Sequence, residues 1–467
     1  MTTDSHVRTK SNSIYFAVLI GVGFLWTGTA YMVQAYRMLR FLDGVTVNLL
    51  VCGVYYVCQA AGIGAVAILF TKRPISASGR GLPLRATILS ILCLAATVYS
   101  SSVPVVIAAG TLMNVMIGVL SGCYLTRLST NVVQQRRGIV FGGAYAFGSI
   151  GTWLLSLPEE GMFLWSSNSL YAVAALAFLS LLFLTRLSPL PARDYAFEPA
   201  RNMFSNKMII FSAAVVFLMC TVYMLGFSFP LKSASGSVYI EFTRAFYAVG
   251  LIIAGVVNDK NRRWGAICCL AALAFPFAAL ALGGSTAGET LMWVCAYIFL
   301  GFFSSYRILI FSDISGKIEF PAFAVIGLLA GRLGEAAGTA GRLLTGTPLI
   351  VFSGIIFAVV IALFFPLYQK LYAPAINTEE SERRKFTEYA ASFALSAREQ
   401  EIFAHILRGM STAEMAGALY ITESTVKFHI GNIFKKTGFT SRSELITDYK
   451  CTRYPAPGVH AAALFTD

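Results

Sequence analysis

The sequence predicts an all-α protein, most of it a polytopic bundle of membrane-crossing helices and the rest a small four-helix domain near the carboxyl terminus. Three observations carry this expectation. Of 467 residues, 57% are hydrophobic and only 13% are charged, which is more apolar than the roughly half expected of a soluble domain. Uncharged apolar runs long enough to cross a hydrocarbon layer of ~30 Å recur about twelve times, each roughly 20 helical residues long. Residues 395–450 then change character, with apolar residues spaced at helical intervals among polar ones.

In order, the expected crossings are 14–36, 45–70, 86–102, 103–125, 138–157, 162–184, 208–229, 239–257, 264–282, 291–311, 321–343 and 349–371. The first run is too long for a signal peptide and lacks a small-residue cleavage site, so it is read as the first crossing. Orientation follows from Lys and Arg, which are retained in short loops on the cytoplasmic side. With the amino terminus inside, the inside segments hold Arg8 and Lys10, then Lys72, Arg73, Arg80 and Arg85, then Arg127, Arg136 and Arg137. Further along they hold Arg186, Arg193, Arg201 and Lys207, then Lys260, Arg262 and Arg263, and finally Lys317. Outside loops and adjoining helix ends keep Arg37, Arg40, Lys232, Arg244 and Arg342, and the loop 158–161 carries Glu159 and Glu160 with no base. An even number of crossings returns the carboxyl terminus to the cytoplasm. The expectation is a multi-pass protein of the cytoplasmic membrane with both termini inside.

The net charge of +13 does not belong to the carboxyl-terminal domain. There Arg398, Arg408, Lys427, Lys435, Lys436, Arg442 and Lys450 face Glu399, Glu401, Glu414, Glu423, Glu444 and Asp448, a near balance. The excess lies in the cytoplasmic loops, where it suits anionic lipid. Cys52, Cys58, Cys93, Cys123, Cys220, Cys268, Cys269 and Cys295 fall within crossings, and Cys451 follows the last domain. None has metal-ligand spacing, so they read as small packing residues, and neither a metal nor a cofactor is expected. With no nucleophile and base, phosphate loop or metal cluster, the chain does not read as an enzyme.

In the carboxyl-terminal domain, Ser396-Ala397-Arg398-Glu399 and Ser411-Thr412-Ala413-Glu414 fit the capping box and open two helices. Ile402, Phe403, Ile406 and Leu407 make an apolar stripe that Gly409 ends. The second helix, from about Thr412 to Leu419, turns Met415, Ala416 and Leu419 inward. Thr422 opens a third, in which Val426, Ile430, Ile433 and Phe434 are core. Its other stripe, Ser424, Lys427, Phe428, Gly431 and Lys435, points away. A short helix, a tight turn and a third helix with a polar, basic outer face is the helix-turn-helix arrangement, whose last helix enters the major groove of DNA.

The domain resembles the LuxR-type (GerE-type) regulators through LSAREQEI at its start, AEMAGALYITESTVKFHIGNIFKKTG in the middle and SRSEL after it. The match runs ungapped across the domain. It implies groove contacts by Lys427 and Phe428, with Lys427 able to donate to guanine O6 and N7. Gly431 stands where some relatives place a base, so one groove contact is absent. Ser424, Thr425, Lys435, Lys436 and Arg442 are implied to position phosphates. His429 and Asn432 stay open between structural hydrogen bonding and DNA contact. A fourth helix, about Arg442 to Tyr449, would form a dimer contact.

The crossings divide into two six-helix halves around the loop from Arg186 to Lys207, as repeated transporter folds do. At the end of the eighth crossing Gly255, Asp259, Lys260, Arg262 and Arg263 resemble the loop signature of the major facilitator superfamily, which implies that fold. The matching first-half loop, TKRPISASGRG, has bases but no Asp. Ionisable groups in lipid are costly and mark candidate sites. Arg332 and Glu335 lie i, i+3 in the eleventh crossing and read either as a structural pair or as a ligand or gating site. Gly327, Gly331, Gly334, Gly338 and Gly341 beside them permit close helix contact or a bend. Gln34, Gln59, Tyr145 and Tyr223 are further candidates for the ligand site. Asn48, Tyr55, Asn114 and Tyr247 are less pointed, and Arg307 is expected to snorkel toward the cytoplasmic face.

The expected organisation is a membrane domain over 1–372, a helical linker over 373–394 capped by Asn377 or Thr378 and exposed to solvent, the DNA-binding domain over 395–450 and a disordered tail over 451–467. Together these imply a membrane-anchored transcription regulator that senses a small molecule of unknown identity through its bundle. Its partners would be double-stranded promoter DNA, the bilayer, the ligand and a second copy of the chain on DNA. The alternative is an active secondary transporter with a fused regulatory DNA-binding domain.

Overall fold

The computed structural model describes residues 2–73, 79–156, 167–185, 207–226, 240–281, 286–318, 320–341, 343–344 and 346–451. These residues are helical, with no strand among them, and the chain divides into two compact units, Met1–Tyr368 and Gln369–Asp467.

The first half of unit 1 contains α1 (Thr2–Met38), α2 (Gly44–Asn48), α3 (Tyr55–Lys72), α4 (Gly81–Tyr99), α5 (Val103–Asn131), α6 (Arg137–Ser156) and α7 (Ser167–Thr185). The second contains α8 (Lys207–Gly226), α9 (Ile240–Arg244), α10 (Phe246–Lys260), α11 (Arg262–Ala281), α12 (Thr286–Ile318), α13 (Ile326–Gly341) and the start of α14 (Thr347–Ser392). Among the described residues ten helices are long and apolar enough to cross a membrane. The sixth and ninth expected crossings fall on α7 and α11, which are described only in part. The loops expected at 158–161 and between Arg186 and Lys207 lie outside the described residues, apart from Lys207 itself, and so do residues 74–78 of TKRPISASGRG.

In lipid, helices gain nothing by hiding apolar side chains from one another, so close backbone approach does the work. A Cβ at Gly118 would stand 2.1 Å from the Gln59 carbonyl oxygen, and one at Gly334 2.2 Å from that of Phe217. Thus α5 lies directly on α3, and α13 on α8. The glycines of α13 serve contact in the same way, since a Cβ at Gly327 would meet the Arg307 carbonyl oxygen at 1.8 Å. The halves meet where α6 packs on α10 and where α3 packs on α13. Large apolar side chains such as Leu92, Phe178, Ile210 and Ile355 point outward, where hydrocarbon is the solvent.

The second crossing is not a plain α-helix. Leu49–Val54 forms a π-helical turn between α2 and α3, and the Thr339 hydroxyl of α13 donates to the Cys52 carbonyl there at 3.1 Å. Such turns leave backbone groups for outside partners.

Unit 2 begins inside α14, which is helical across the expected linker as far as Ser392 but lacks the expected cap. The helix runs without a break through Asn377 and Thr378, so neither caps it. Nor is its second part merely solvated: Tyr389 and Ala390 are 1% and 0% exposed, in one core with Phe403, Val426 and Leu445. The rings of Phe386 and Tyr389 stack on Phe403 at 5.5 and 5.4 Å, and the Tyr389 hydroxyl donates to Asp448 at 2.7 Å. The acids and bases of 379–385 hid this apolar stripe, Phe386, Tyr389, Ala390 and Phe393, from a composition-led reading.

The rest of unit 2 is α15 (Ala397–Leu407), α16 (Thr412–Leu419), α17 (Glu423–Thr437) and α18 (Arg442–Cys451). Both capping boxes form, at Ser396 with Glu399 and Ser411 with Glu414, and Thr422 caps α17. Gly409 takes a φ of +73° after α15, a value that glycine tolerates at a helix end. Ile402, Phe403 and Ile406, Met415 and Ala416, and Val426, Ile430 and Ile433 are buried, with Leu407, Leu419 and Phe434 packed against them. The tail expected at 451–467 lies outside the described residues beyond Cys451.

Glu399 does more than cap. Its carboxylate accepts from the Ser396 amide at 2.7 Å and from the Lys436 ammonium at 2.7 Å. Burial alone would raise the Glu399 carboxyl, but Lys436 and Ser396 outweigh it and hold the group below the ordinary glutamate value. A carboxyl lowered in the folded state stabilises above its unfolded value and loses that contribution as pH falls through the folded one. Glu399→Gln should therefore cost about 0.5–2 kcal/mol, the range for a lost cap. Hydrogen exchange in the full chain should show α15 and α17 amides less protected at neutral pH, and the difference from wild type should shrink on acidification.

Candidate functional site

Two constellations carry chemistry, one in each unit. In unit 2, α17 turns Val426, Ile430 and Ile433 into the core, which leaves Ser424, Lys427, Phe428 and Lys435 exposed and Gly431 half-buried. Phe428 is 65% exposed and meets the His429 ring edge-on. An aromatic ring left in water on an otherwise polar helix is costly, and a base edge or thymine methyl in a major groove would cover it. Tyr420, in the turn before α17, is 95% exposed at a φ of +53°.

Not every residue implied to touch DNA is equally available. Lys427 and Lys435 stand on the outer stripe. Ser424 and Thr425 share hydrogen bonds with the Thr422 cap, 2.8 Å from its hydroxyl in each case. Lys436 is turned the other way, onto Glu399 and the Ala394 carbonyl at 2.9 Å. Arg442 donates to the Met410 carbonyl at 3.1 Å and the Thr412 hydroxyl at 2.8 Å, tying α18 to the start of α16. These two cations hold the domain together, an internal role that sequence reading missed because a basic residue on a helix end looks the same whether it faces DNA or a hidden carboxylate.

In unit 1, a cavity of about 320 Å³ opens between the halves. The first half contributes Asn48, Cys52, Tyr56 and Tyr145, and the second Tyr223, Tyr247, Phe303, Ser304, Arg307, Arg332 and Glu335. Glu335 is held at both oxygens, by Arg332 at 2.6 Å within α13 and by Arg307 at 2.5 Å from α12. Arg307 therefore does not snorkel. It is 6% exposed, because a carboxylate across the helix contact compensates its charge where lipid cannot.

Of the four residues offered as ligand-site candidates, Tyr145 and Tyr223 line the cavity, while Gln34 and Gln59 are not among its lining residues. The Asn114 amide donates to Gln34 at 3.0 Å and Gln59 donates to Asn114 at 2.8 Å, a polar clasp joining α1, α3 and α5 away from the triad. Tyr55 is also elsewhere, its hydroxyl on the Met38 sulfur at 3.4 Å. Tyr56, Phe303 and Ser304 escaped the sequence reading, since an aromatic or serine in an apolar run carries no periodic signal of what it faces. A second hollow of about 430 Å³, between α1 and α6, is lined by Ile14, Val18, Ile139 and Phe147, with Arg136 the one charged group among the described lining residues.

The loop signature is built into a lock between the halves. Asp259 accepts from the Gly138 and Ile139 amides, both at 2.7 Å, and so caps α6 from across the seam. Arg262 pairs with Asp259 at 3.1 Å and Asp313 at 2.8 Å, and Arg137 reaches Asp313 at 3.1 Å. Gly255 lets this happen, for a Cβ there would sit 2.7 Å from the Gly138 carbonyl oxygen. Lys260 closes α10 and Arg263 stands in the first turn of α11. Arg137 and Asp313 belong to the lock although the sequence reading took one as a loop base and passed over the other.

Residues 394–448 match the family described as bacterial regulatory proteins, luxR family. The spore germination protein GerE of Bacillus subtilis (strain 168) is 34% identical over 64 residues, 14% of this chain and 86% of that protein. The CsgBAC operon transcriptional regulatory protein of Escherichia coli (strain K12) is 37% identical over 79 residues, 17% of this chain and 35% of that one. Among solved structures, the Major Facilitator Superfamily transporter FucP in the outward conformation matches with a TM-score of 0.55 at 15% identity, over 76% of this chain and 97% of its own. The nucleoside transporter NupG matches with a TM-score of 0.50 at 15% identity, over 76% and 98%. At that identity the likeness is one of fold. The chain is thus a multi-pass membrane protein with a major facilitator-like fold and a luxR-type DNA-binding domain, and DNA and lipid are its partners. Neither fold family is enzymatic.

Lys427→Ala should weaken specific duplex binding by about 1–3 kcal/mol, the worth of a good base contact, with membrane levels unchanged. Lys436→Ala should instead lower the stability of unit 2 and leave sequence preference intact. Gel-shift titrations with specific and random duplexes, beside melting curves, separate the two outcomes.

Proposed function

Because the chain belongs to the luxR family of bacterial regulatory proteins, we propose that it is a membrane-bound transcription regulator whose transporter-like bundle senses a small molecule. The reading rests on the buried Arg307, Glu335 and Arg332 triad beside a cavity. Ionised groups this deep in an apolar bundle are expensive and mark functional sites. In this reading the termini are cytoplasmic, as the distribution of Lys and Arg supports, and the membrane is the cell membrane. The ligand binds one arrangement of the halves better than another and shifts the population toward it.

The output is the state of the DNA-binding domain. α14 supplies both the last crossing of the bundle and the Phe386, Tyr389 and Phe393 stripe of the domain core. Movement of α14 with the bundle therefore bears on the packing of α15, α17 and α18. Two domains pair through α18 and dock on half-sites in successive major grooves, with Lys427 and Phe428 reading bases and Ser424, Thr425 and Lys435 near the backbone. The seam lock of Asp259, Arg262, Arg137 and Asp313 holds one arrangement of the halves in the absence of ligand.

Promoter occupancy should be measured in cells across a small-molecule library, with uptake of the active compound measured in proteoliposomes. The expected result is occupancy that changes severalfold with one compound and no accumulation of it. Occupancy that ignores every compound would remove the sensing role, and concentrative uptake would favour the transporter reading. Asp313→Asn, which loosens the lock, should shift occupancy toward the ligand-bound level with no compound added.

A further inference from the structure

The cavity between the halves carries more positive charge than its own carboxylate cancels. Glu335 is the one acid among the described lining residues, against Arg307 and Arg332. Each guanidinium gives one terminal nitrogen to Glu335, at 2.5 and 2.6 Å, while a guanidinium has five N–H donors in a planar fork. The Nε atoms of both arginines are buried with no hydrogen-bond partner among the described residues. Buried donors without acceptors are costly, and so is a buried surplus charge. Both deficits call for an anionic oxygen acceptor.

The rest of the wall is aromatic. Tyr223 stacks on Phe303 at 5.1 Å and 28°, Tyr145 meets Tyr247 edge-on at 5.9 Å, and the Arg332 guanidinium lies 4.4 Å above the Tyr56 ring. Flat faces and ring edges of this kind accept another flat ring in offset or edge geometry. The volume, about 320 Å³, is at the small end of the range of about 300–1,000 Å³ usual for small-molecule sites.

We propose that the sensed ligand is a small aromatic monocarboxylate, its carboxylate gripped by the unused N–H groups of Arg307 and Arg332 and its one- or two-ring body lying among Tyr56, Tyr145, Tyr223 and Phe303. The proposal rests on the reading of the bundle as the sensing part. One negative charge matches the one surplus positive charge. A cation meets repulsion, a neutral sugar leaves the surplus uncompensated, and a dianion overshoots it. Bidentate guanidinium–carboxylate geometry supplies orientation as well as attraction.

The test uses the full chain in lipid nanodiscs and equilibrium binding of benzoate, 3-phenylpropanoate and indole-3-acetate, each beside its primary amide, with phenethylammonium as the cationic probe. At least one carboxylate should bind saturably, about tenfold or more tighter than its amide, as loss of a charge-assisted bond implies. Arg332→Gln should abolish that preference, and Arg332→Lys, which keeps the charge and loses the fork, should retain part of it. Glu335→Gln removes the internal competitor and should bind the carboxylate at least as tightly as wild type. A pair with only a structural role would make both Arg332→Gln and Glu335→Gln lose binding alike, and that result overturns the proposal. So does a panel in which no carboxylate exceeds its amide, or in which phenethylammonium binds best. Promoter occupancy that answers to a neutral compound would sink the carboxylate while keeping the sensor, whereas carboxylate binding without any change in occupancy would keep the site and sink the sensor.

Discussion

An ionised carboxylate inside an apolar bundle has to be compensated where it stands, and much of unit 1 is arranged around that requirement at Glu335. Desolvating a charge costs several kcal/mol even after relaxation, of order what a whole domain has to spare. Glu335 meets it with two guanidinium groups, one on its own helix and one on α12. That pairing needs α12 and α13 close together, which Gly327 supplies by bringing its backbone onto the Arg307 carbonyl. It also leaves one cation in excess, which draws Arg332 onto the Tyr56 face across the seam. A helix contact, an ion triad and an aromatic wall thus follow from one buried charge.

The same logic, at lower stakes, orders unit 2. Glu399 is 4% exposed and is answered by Lys436 from α17 and by the start of its own helix. The pair fixes where α17 crosses α15, and so which stripe of α17 faces outward. With Val426, Ile430 and Ile433 committed to the core, Lys427, Phe428 and Lys435 have no inward alternative. Recognition geometry here is a by-product of core packing. The outer stripe needs only to be polar enough to stay outside and shaped to fit a groove.

What was legible in the sequence divides along physical lines. Local signals were plain: hydropathy located the ten helices that are long and apolar enough to cross a membrane among the described residues, the Ser-x-x-Glu spacing located both capping boxes, and the i, i+3 spacing of Arg332 and Glu335 located two members of the triad. Partners far apart in sequence were not. Arg307 reads as a cation near a helix end until Glu335 is brought against it, 28 residues away. Asp259 reads as a loop motif until it caps α6, 121 residues away. The α14 stripe was hidden by neighbours whose charge dominated the average, although Phe386, Tyr389, Ala390 and Phe393 already fell at helical spacing. Gln34 and Gln59 show the opposite failure, since polar residues in a crossing announce a hydrogen bond and not what receives it. Asn114 meets both, donating to Gln34 and accepting from Gln59.

Among the ties that cross the seam between the halves, the lock and the cavity contacts differ in kind. The Asp259, Arg262, Arg137 and Asp313 lock is ionic and self-sufficient, every oxygen of Asp259 and Asp313 being met by protein donors. The cavity side depends on the Arg332 contact with Tyr56 and on donors that the protein leaves unmet. Only the second can respond to a small molecule, because only there does an incoming acceptor gain something that the protein does not already provide. Reversing a 1:99 population requires about 5.5 kcal/mol of differential binding. Hydrogen bonds to charged groups contribute about 1.5–3 kcal/mol each, so two near the top of that range or three near its middle, made in one arrangement of the halves and lost in the other, are sufficient. In the proposed reading the bundle keeps the cavity and seam of a transporter fold, and α14 turns the change in their arrangement into a change at the DNA-binding domain.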